Sequence, residues 1–253
     1  MRPILRLIVA ILATALAAST AMAETAELEL SVTYRERIAL PPGAQLEVQL
    51  IEAARADAPS TRIASQRFAM TGVPMTVILP YDTQVIDPRG RYAVVADIWD
   101  GDKRLFRTTS RYSVLDGGDA ATVEMVLTMA EGGGDAPEPG LPITGIEWAV
   151  TEVAVAPWGN DGPATLNIDT EMNVAIFGGC NRFVGAVTVT GGQIAFPENL
   201  AGTLMACPPE VEELERGFLE ALRGVVGYVR YGAGLILTDA DGRALLHFVE
   251  RPK

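Results

Sequence analysis

Apolar residues in the first half of the chain recur at every second position, and this period restricts the fold more than any other feature. The alternation runs through five segments, at residues 28–34, 46–50, 73–79, 92–98 and 123–129. A strand with one buried face has this period, whereas a helix repeats every 3.6 residues. Turn-forming Pro, Gly and Asp residues separate the segments. Residues 24–129 are therefore expected to form an antiparallel β-sandwich.

A Gly- and Pro-rich stretch at residues 130–142, AEGGGDAPEPGLP, divides the chain in two. Little in it can pack, so we expect a linker between domains that move independently, although a packed interface remains open. Residues 143–253 combine short alternating runs with one helical window, which begins at Pro209 and ends near Val225. One helix on several antiparallel strands is an α+β arrangement. The expected fold is therefore mainly β, with a β-sandwich followed by an α+β domain.

Residues 1–23 are expected to be a secretory signal peptide. A positively charged start precedes the apolar stretch 7–18, which is shorter than the roughly 20 residues that span a bilayer. Residues 21–23 form an A-x-A cleavage site, and an uncleaved anchor is the alternative. Ser19 stands where a lipoprotein would need a lipobox Cys. These features predict cleavage after Ala23, no lipid anchor, no later membrane segment and a periplasmic or secreted protein.

Charge and residue counts exclude several classes of function. The chain has 20 Lys and Arg against 32 Asp and Glu, whereas nucleic-acid binding needs a basic face. Loss of the signal peptide removes two Arg and takes the net charge from −12 to −14. One His and two Cys cannot build a His-rich or four-cysteine zinc site or hold an iron–sulfur cluster. No cofactor, metal or nucleic-acid partner is therefore expected.

Cys180 and Cys207 are the two thiols of the chain. An even count in an exported protein favours a disulfide, and two buried free thiols are the alternative. The disulfide would contribute roughly 3–4 kcal/mol on the loop-entropy model. A catalytic cysteine is disfavoured because the single His, His247, belongs to no motif. We expect His247 to be a strand residue with a satisfied ring.

The residues around Cys180 have a functional and a structural interpretation. Gly179 allows close backbone approach, and Asn181 and Arg182 could bind an anionic group. The alternative is a β-bulge that turns the strand, with Arg182 paired to a local carboxylate. Trp158 lies in a polar loop and is the best candidate for an exposed contact. The candidate binding residues are Gly179, Asn181, Arg182, Phe183 and Trp158.

Two acidic clusters are expected to be turns. Residues 239–242, DADG, fail the calcium-loop pattern because Gly stands at loop position 4 instead of 6, so a hairpin turn is expected. Asp97, Asp100 and Asp102 fit a strand end and turn. A hydrolase using these surface carboxylates is the enzymatic alternative, but no motif places two carboxylates across a cleft. We therefore expect no enzymatic activity and no catalytic or metal-binding residues.

Three stretches of the second half occur in a specific order. They are TGIEW at residues 144–148, GGCNRFVG at 178–185 and TLMACP at 203–208, directly before the Glu-rich helix. With them, residues 143–250 resemble the META domain, the family that includes the heat-shock protein HslJ. The resemblance implies a secreted or envelope protein with links to stress and motility, and no established catalytic residues.

Three other stretches carry a second resemblance over residues 27–129. They are VTYRERIALPP at 32–42, LPYD at 79–82 and IDPRGRYAV at 86–94. This half resembles the YbaY/YscW family of envelope lipoproteins, which includes pilotins of type III secretion. Pilotins depend on a lipidated Cys that this chain lacks.

The two resemblances together imply a non-enzymatic exported protein that acts as a binding or stabilising module in cell-envelope stress or maintenance. Its partner would be an unknown envelope protein or a small ligand. The alternative is a pilotin-like assembly factor for an outer-membrane complex, which would act by strand addition at an edge of the sandwich.

Overall fold

The computed structural model describes residues 25–53, 60–117, 122–130, 142–154, 156–158 and 164–251. This part of the chain is mainly β, as predicted, with two curled sheets and a single α-helix. The expected signal peptide and most of the expected linker lie outside the described residues, so both stay predictions. Within the described ranges, no helix has the length and apolar character needed to cross a bilayer.

Eight strands of the first half form one curled sheet. They are β1 (Thr25–Tyr34), β2 (Gln45–Glu52), β3 (Thr61–Ala69), β4 (Met75–Asp82), β5 (Tyr92–Asp100), β6 (Lys103–Arg107), β7 (Tyr112–Val114) and β8 (Val123–Met129). The order is β3-β2-β5-β6-β8-β1-β4, with β7 beside β5, and β1–β8 is the parallel pair in an otherwise antiparallel sheet. The curl brings the β4-β1-β8 and β3-β2-β5 parts around one apolar core.

The alternating runs of the sequence correspond to β1, β2, β4, β5 and β8. Strand β3 was not predicted from the sequence, because its buried positions are Ala64, Gln66 and Phe68. A polar residue in the middle of the buried face hides the alternation. Strands β6 and β7 are too short to show a period.

Eleven strands of the second half form an antiparallel sheet that closes on itself. They are β9 (Glu147–Val153), β10 (Ala156–Pro157), β11 (Thr165–Ile168), β12 (Asn173–Phe177), β13 (Arg182–Ala186), β14 (Thr188–Thr190), β15 (Gln193–Ala195), β16 (Ala201–Gly202), β17 (Gly227–Tyr231), β18 (Gly234–Thr238) and β19 (Ala244–Glu250). The order is β14-β15-β17-β18-β19-β9-β11-β12-β13-β16, with β10 beside β9. Only Val187 separates β13 from β14. One bent strand therefore connects β14, at one end of the path, to β13, which is second from the other end, and closes the curled sheet into a ring.

The helix α1 (Pro209–Arg223) ends two residues before the predicted position. Pro209 stands in its first turn with Glu210 and Glu212, whose charges complement the positive end of the helix dipole. Phe218 and Leu222 point into the core of the ring, where α1 packs against β9 and β19. The predicted α+β arrangement of the second half is therefore present.

The two halves pack against each other through β17 and β18. Val229, Tyr231 and Ile236 belong to the second half, yet they are buried in the core of the first. Strand β17 lies against β3 and β4, which are the two end strands of the first sheet. The Gly/Pro stretch therefore does not separate independent bodies in this structure, because the second half completes the core of the first.

A turn between β18 and β19 makes a backbone contact between the halves. The backbone N–H of Ile78 on β4 donates to the carbonyl oxygen of Asp241 at 2.8 Å. Gly242 has a φ of +92°, and a Cβ atom on it would lie 1.9 Å from the Ile78 carbonyl oxygen. Residues 239–242 thus form the expected hairpin turn, and that turn docks on the other half.

Candidate functional site

The GGCNRF motif forms a hairpin loop between β12 and β13. Phe177 pairs with Arg182 in the ladder, and the Gly178 N–H donates to the Asn181 carbonyl oxygen at 2.9 Å. Gly179 has a φ of +104°, a conformation that strongly favours glycine. The motif is therefore a tight loop and not the β-bulge considered from the sequence.

A disulfide joins Cys180 in this loop to Cys207, with a Cα–Cα distance of 6.2 Å. Cys207 stands two residues before the first residue of α1. The bond therefore attaches the loop to the segment 203–208 that leads into the helix. Neither of the two thiols is free in this structure, in contrast to the alternative of two buried free cysteines.

Asn181 is buried, and its polar atoms are used within the protein. Its backbone N–H donates to Glu215 Oε2 at 2.7 Å, and its Nδ2 donates to Glu215 Oε1 at 2.8 Å and contacts Cys207 Sγ at 3.4 Å. Its Oδ1 accepts from Thr203 Oγ1 at 2.9 Å and from the Met205 N–H at 2.8 Å. Asn181 therefore acts as a clamp between loop, segment and helix, and this geometry leaves no polar atom for an external anion.

The other candidate residues have mixed surroundings. Arg182 is exposed, and its guanidinium lies 5.1 Å from the centre of the Phe177 ring. Among the described residues it forms no ion pair with a carboxylate. Phe183 is half-buried against the core of the ring. Trp158 is also half-buried, with its ring 6.0 Å from the Phe218 ring in an edge-to-face contact. Trp158 is therefore a packing residue more than the exposed contact expected from its polar loop.

Glu215 was not singled out from the sequence, where it is one of several glutamates near the start of a Glu-rich helix. Glu215 is buried beneath the loop, and a Cβ atom on Gly178 would lie 2.6 Å from its side chain. Its position in the helical repeat could have predicted this burial. Glu215 follows Val211 by four residues and precedes Phe218 by three, so it shares their face of the helix.

The clamped segment carries two adjacent exposed apolar side chains. Leu204 is 98% exposed and Met205 is 57% exposed, and we call this pair the apolar tip. Thr203 and the Met205 N–H are bonded to Asn181, and Cys207 is held by the disulfide. The backbone is therefore fixed on both sides of Leu204, while the apolar tip itself faces solvent.

His247 lies on strand β19, as predicted. It is buried, and its Nδ1 has no hydrogen-bond partner among the described residues. The expectation of a satisfied ring is therefore wrong at this atom. Burial lowers the pKa of His247, and the nearby carboxylate of Glu152 acts in the opposite direction.

The carboxylates considered for a hydrolase are dispersed around the β5–β6 turn. Asp97 forms an ion pair with Arg104, with 3.0 Å between Oδ1 and Nε. Burial raises the pKa of Asp97, and Arg104 acts in the opposite direction. Asp100 and Asp102 are exposed at the turn. Asp97, Asp100 and Asp102 therefore lie at the end of strand β5 and in the turn that follows it, as expected from the sequence.

Two family models match the chain. The model described as "Type III secretion system lipoprotein chaperone (YscW)" matches residues 23–127, and the META domain model matches residues 141–252. The chain is a YscW-type domain followed by a META domain. Neither family is known for enzymatic activity.

The relatives of the YscW-type domain include the "Uncharacterized lipoprotein YbaY" of Escherichia coli (strain K12). It is 33% identical over 99 residues, which cover 38% of this chain and 52% of that protein. The chain thus spans about half the length of this curated relative. The lipoprotein family and relative indicate an exported envelope protein.

Two solved structures are also similar to the chain. An alternative pilotin from the type II secretion system of Vibrio cholerae is 39% identical, with 43% of this chain and 100% of that chain covered and a TM-score of 0.41. A protein from Burkholderia xenovorans, whose structure was solved by NMR, is 23% identical. The match covers 50% of this chain and 99% of that chain, with a TM-score of 0.37.

Proposed function

We propose that this protein is a non-enzymatic envelope protein that binds a protein partner through the apolar tip of its META domain. The observation that carries the proposal is the 98% exposure of Leu204 between backbone positions that are held in place. A fixed backbone loses little conformational entropy on binding, so more of the interaction energy appears as affinity. Apolar anchors of this kind contribute most of the energy of many interfaces.

The family match supports partner binding by an exported protein. The YscW family is described as a lipoprotein chaperone of type III secretion, and a chaperone acts by binding another protein. The proposal includes a periplasmic or secreted location, cleavage after Ala23 and a role in envelope stress or maintenance. It also includes the absence of a lipid anchor, on the ground that Ser19 follows the apolar stretch.

Strand addition at the YscW-type domain is the second candidate, and the geometry favours it less. On the end strand β4, the backbone N–H of Ile78 already donates a hydrogen bond to the Asp241 carbonyl oxygen. The end strand β3 lies against β17. A partner strand would have to displace the META domain from either end. We therefore place the primary partner site at the apolar tip.

Site-specific photo-crosslinking in cells tests this function. A photo-crosslinking residue at position 204 of the tagged chain is expected to capture a discrete protein, identified by mass spectrometry. The matched control is position 85, because Val85 is an apolar residue with 45% exposure on the other domain. In addition, Leu204→Asp should abolish capture by a second crosslinking residue at position 205 without changing the thermal unfolding temperature.

Two results would contradict the proposal. One is the absence of any adduct at position 204 under conditions in which the protein is exported. The other is the same set of adducts at positions 204 and 85, which would indicate random collision.

A further inference from the structure

A cavity of about 380 Å³ lies between the two domains, and no described residue that lines it belongs to the GGCNRF loop. One wall is the end strand β3, of which residues 62–67 all line the cavity. Successive side chains of a strand point to opposite faces, so six consecutive lining residues mean that the cavity meets β3 along its edge. The opposite wall comes from β17 and from the glycine turn at residues 191–192. The volume is within the usual range of small-molecule sites.

The charges that line this cavity are opposite in sign to those of the whole protein. Arg62, Arg67 and Arg230 contribute guanidinium groups, and Glu47 is the acidic residue among the described lining residues. These four lining residues carry a formal charge of about +2 within a chain of net charge −12, and Glu250, which does not line the cavity, pairs with Arg230. Such a local excess of arginine attracts an anion and repels a cation.

Arg230 is held in place by several contacts. Its guanidinium donates to the carbonyl oxygens of Pro142 and Gly232, and it lies 5.1 Å from the centre of the Trp148 ring. Its Nε is buried and has no hydrogen-bond partner among the described residues. Its Nη2 also lies 3.5 Å from Glu250 Oε2, so Arg230 is a fixed and ion-paired part of the wall formed by β17.

Arg67 stands on the opposite wall and is also constrained. Its side chain is 13% exposed, and its Nε lies 3.5 Å from Glu47 Oε1. Gly192 packs against the aliphatic stem of Arg67, where a Cβ atom would come within 3.1–3.2 Å of three of its carbons. Tyr228 lies nearby on β17, where burial raises the pKa of its hydroxyl and the Arg67 charge acts in the opposite direction. A guanidinium and a phenol from two domains therefore face the same space.

We propose that this cavity binds a small organic anion, either a carboxylate or a phosphate ester. Arg67 and Arg62 hold the oxyanion, because a guanidinium forms paired charge-assisted hydrogen bonds with carboxylate and phosphate oxygens. The apolar part of the ligand packs against Ile63 and Val189 of the cavity wall. Since both domains line the site, the bound anion stabilises their docked arrangement. This site is separate from the apolar tip and does not depend on its function.

The test is a titration of the full chain, followed by the ¹⁵N–¹H NMR signals of Ile63, Gly191 and Gly192. The probes are succinate and inorganic phosphate, with succinamide as the uncharged analogue of succinate. At least one of the two anions is expected to shift these signals in a saturable manner, and succinamide is not. Binding of succinate alone identifies the carboxylate as the recognised group, and binding of phosphate alone identifies the phosphate.

Charge variants separate a built site from general attraction. Arg67→Gln and Arg62→Gln are each expected to weaken binding of the probe by about tenfold, the effect of losing one charge-assisted hydrogen bond. The matched control is Arg216→Gln, because Arg216 is exposed on α1 and its loss changes the net charge equally. The proposal is overturned if neither anion shifts these signals at millimolar concentration. Equal weakening by all three variants, or no weakening by either cavity variant, also overturns it.

Discussion

At the scale of single residues, four hydrogen bonds converge on the side chain of Asn181. Replacement of Asn181 by alanine leaves Glu215 Oε1 buried without its donor. We expect Asn181→Ala to lower the free energy of unfolding by about 2–4 kcal/mol, because an unsatisfied buried charge retains its full desolvation cost. Urea denaturation measures the change. Arg182→Ala is the control in the neighbouring position and should cost about 0.5 kcal/mol or less, since Arg182 is exposed; equal losses would contradict the clamp.

His247 predicts a dependence of stability on pH. Burial lowers its pKa below the ordinary value of 6.5, so between the two values the unfolded state binds a proton that the folded state does not. The free energy of unfolding should therefore fall as the pH drops below about 6.5. Above that pH, where His247 is neutral in both states, the stability should not depend on its titration. Denaturation of wild type and His247→Gln at several pH values isolates the effect. The difference between the two proteins should shrink as the solution becomes acidic, and parallel curves would refute the assignment.

The sequence allowed the neighbourhood of Asn181 to be predicted, but not its role. Two cysteines in an exported chain favour a disulfide on composition alone, and Cys180 and Cys207 do form one. The carboxylate partner Glu215 is 34 positions away from Asn181, so no local pattern connects the two. An Asn beside an Arg has the same appearance in sequence whether it binds a ligand or holds a loop.

At the scale of elements, the predictable parts are those with one strong period and one buried face. The helix α1 could be predicted to within two residues because its apolar face is uninterrupted from Val211 to Leu222 except at Glu215. Strand β3 has a buried Gln66, whose Nε2 donates to Thr238 Oγ1 of the other domain at 2.5 Å. That strand is irregular in sequence because its inward face meets a polar partner that the local sequence does not contain.

The segment 203–208 is an element without regular structure, so its order depends on cross-links. We expect Cys180→Ala with Cys207→Ala to lower the free energy of unfolding by roughly 3–4 kcal/mol on the loop-entropy model. Photo-crosslinking from position 204 should also become weaker, because Leu204 remains but its backbone has lost the disulfide and keeps only the hydrogen bonds that Asn181 and Arg182 make with Thr203 and Met205, among the described residues. Wild-type protein treated with a reductant is the control and should match the double variant. A double variant as stable as the oxidised wild type would show that the bond contributes nothing.

At the scale of the whole molecule, the two domains could be predicted but their contact was not. The sequence of strand β18 indicates this contact, because Leu235, Ile236 and Leu237 form a continuous apolar run, and all three are buried. A strand with one face in water alternates, whereas a strand covered on both faces does not. Ile236 therefore predicts a second packed surface, which the structure identifies as the core of the YscW-type domain.

The shared core predicts that the domains unfold together, and Gly242 provides the means to separate them. In calorimetry the wild type should show one transition, because exposure of Val229, Tyr231 and Ile236 disrupts both domains at once. Gly242→Ala places a Cβ atom against the Ile78 carbonyl oxygen, so the turn must withdraw and its bond to Ile78 breaks. We expect this variant to show two transitions.

Gly101→Ala is the matched control for Gly242→Ala. Gly101 also has a positive φ, +56°, but a Cβ atom there meets nothing within 4 Å. Its substitution therefore introduces backbone strain of about 1–2 kcal/mol without touching the interface. The unfolding temperature should fall while the single transition remains. Two transitions in the wild type would show that the domains unfold independently. The same profile for both variants would show that the contact at Gly242 does not couple them.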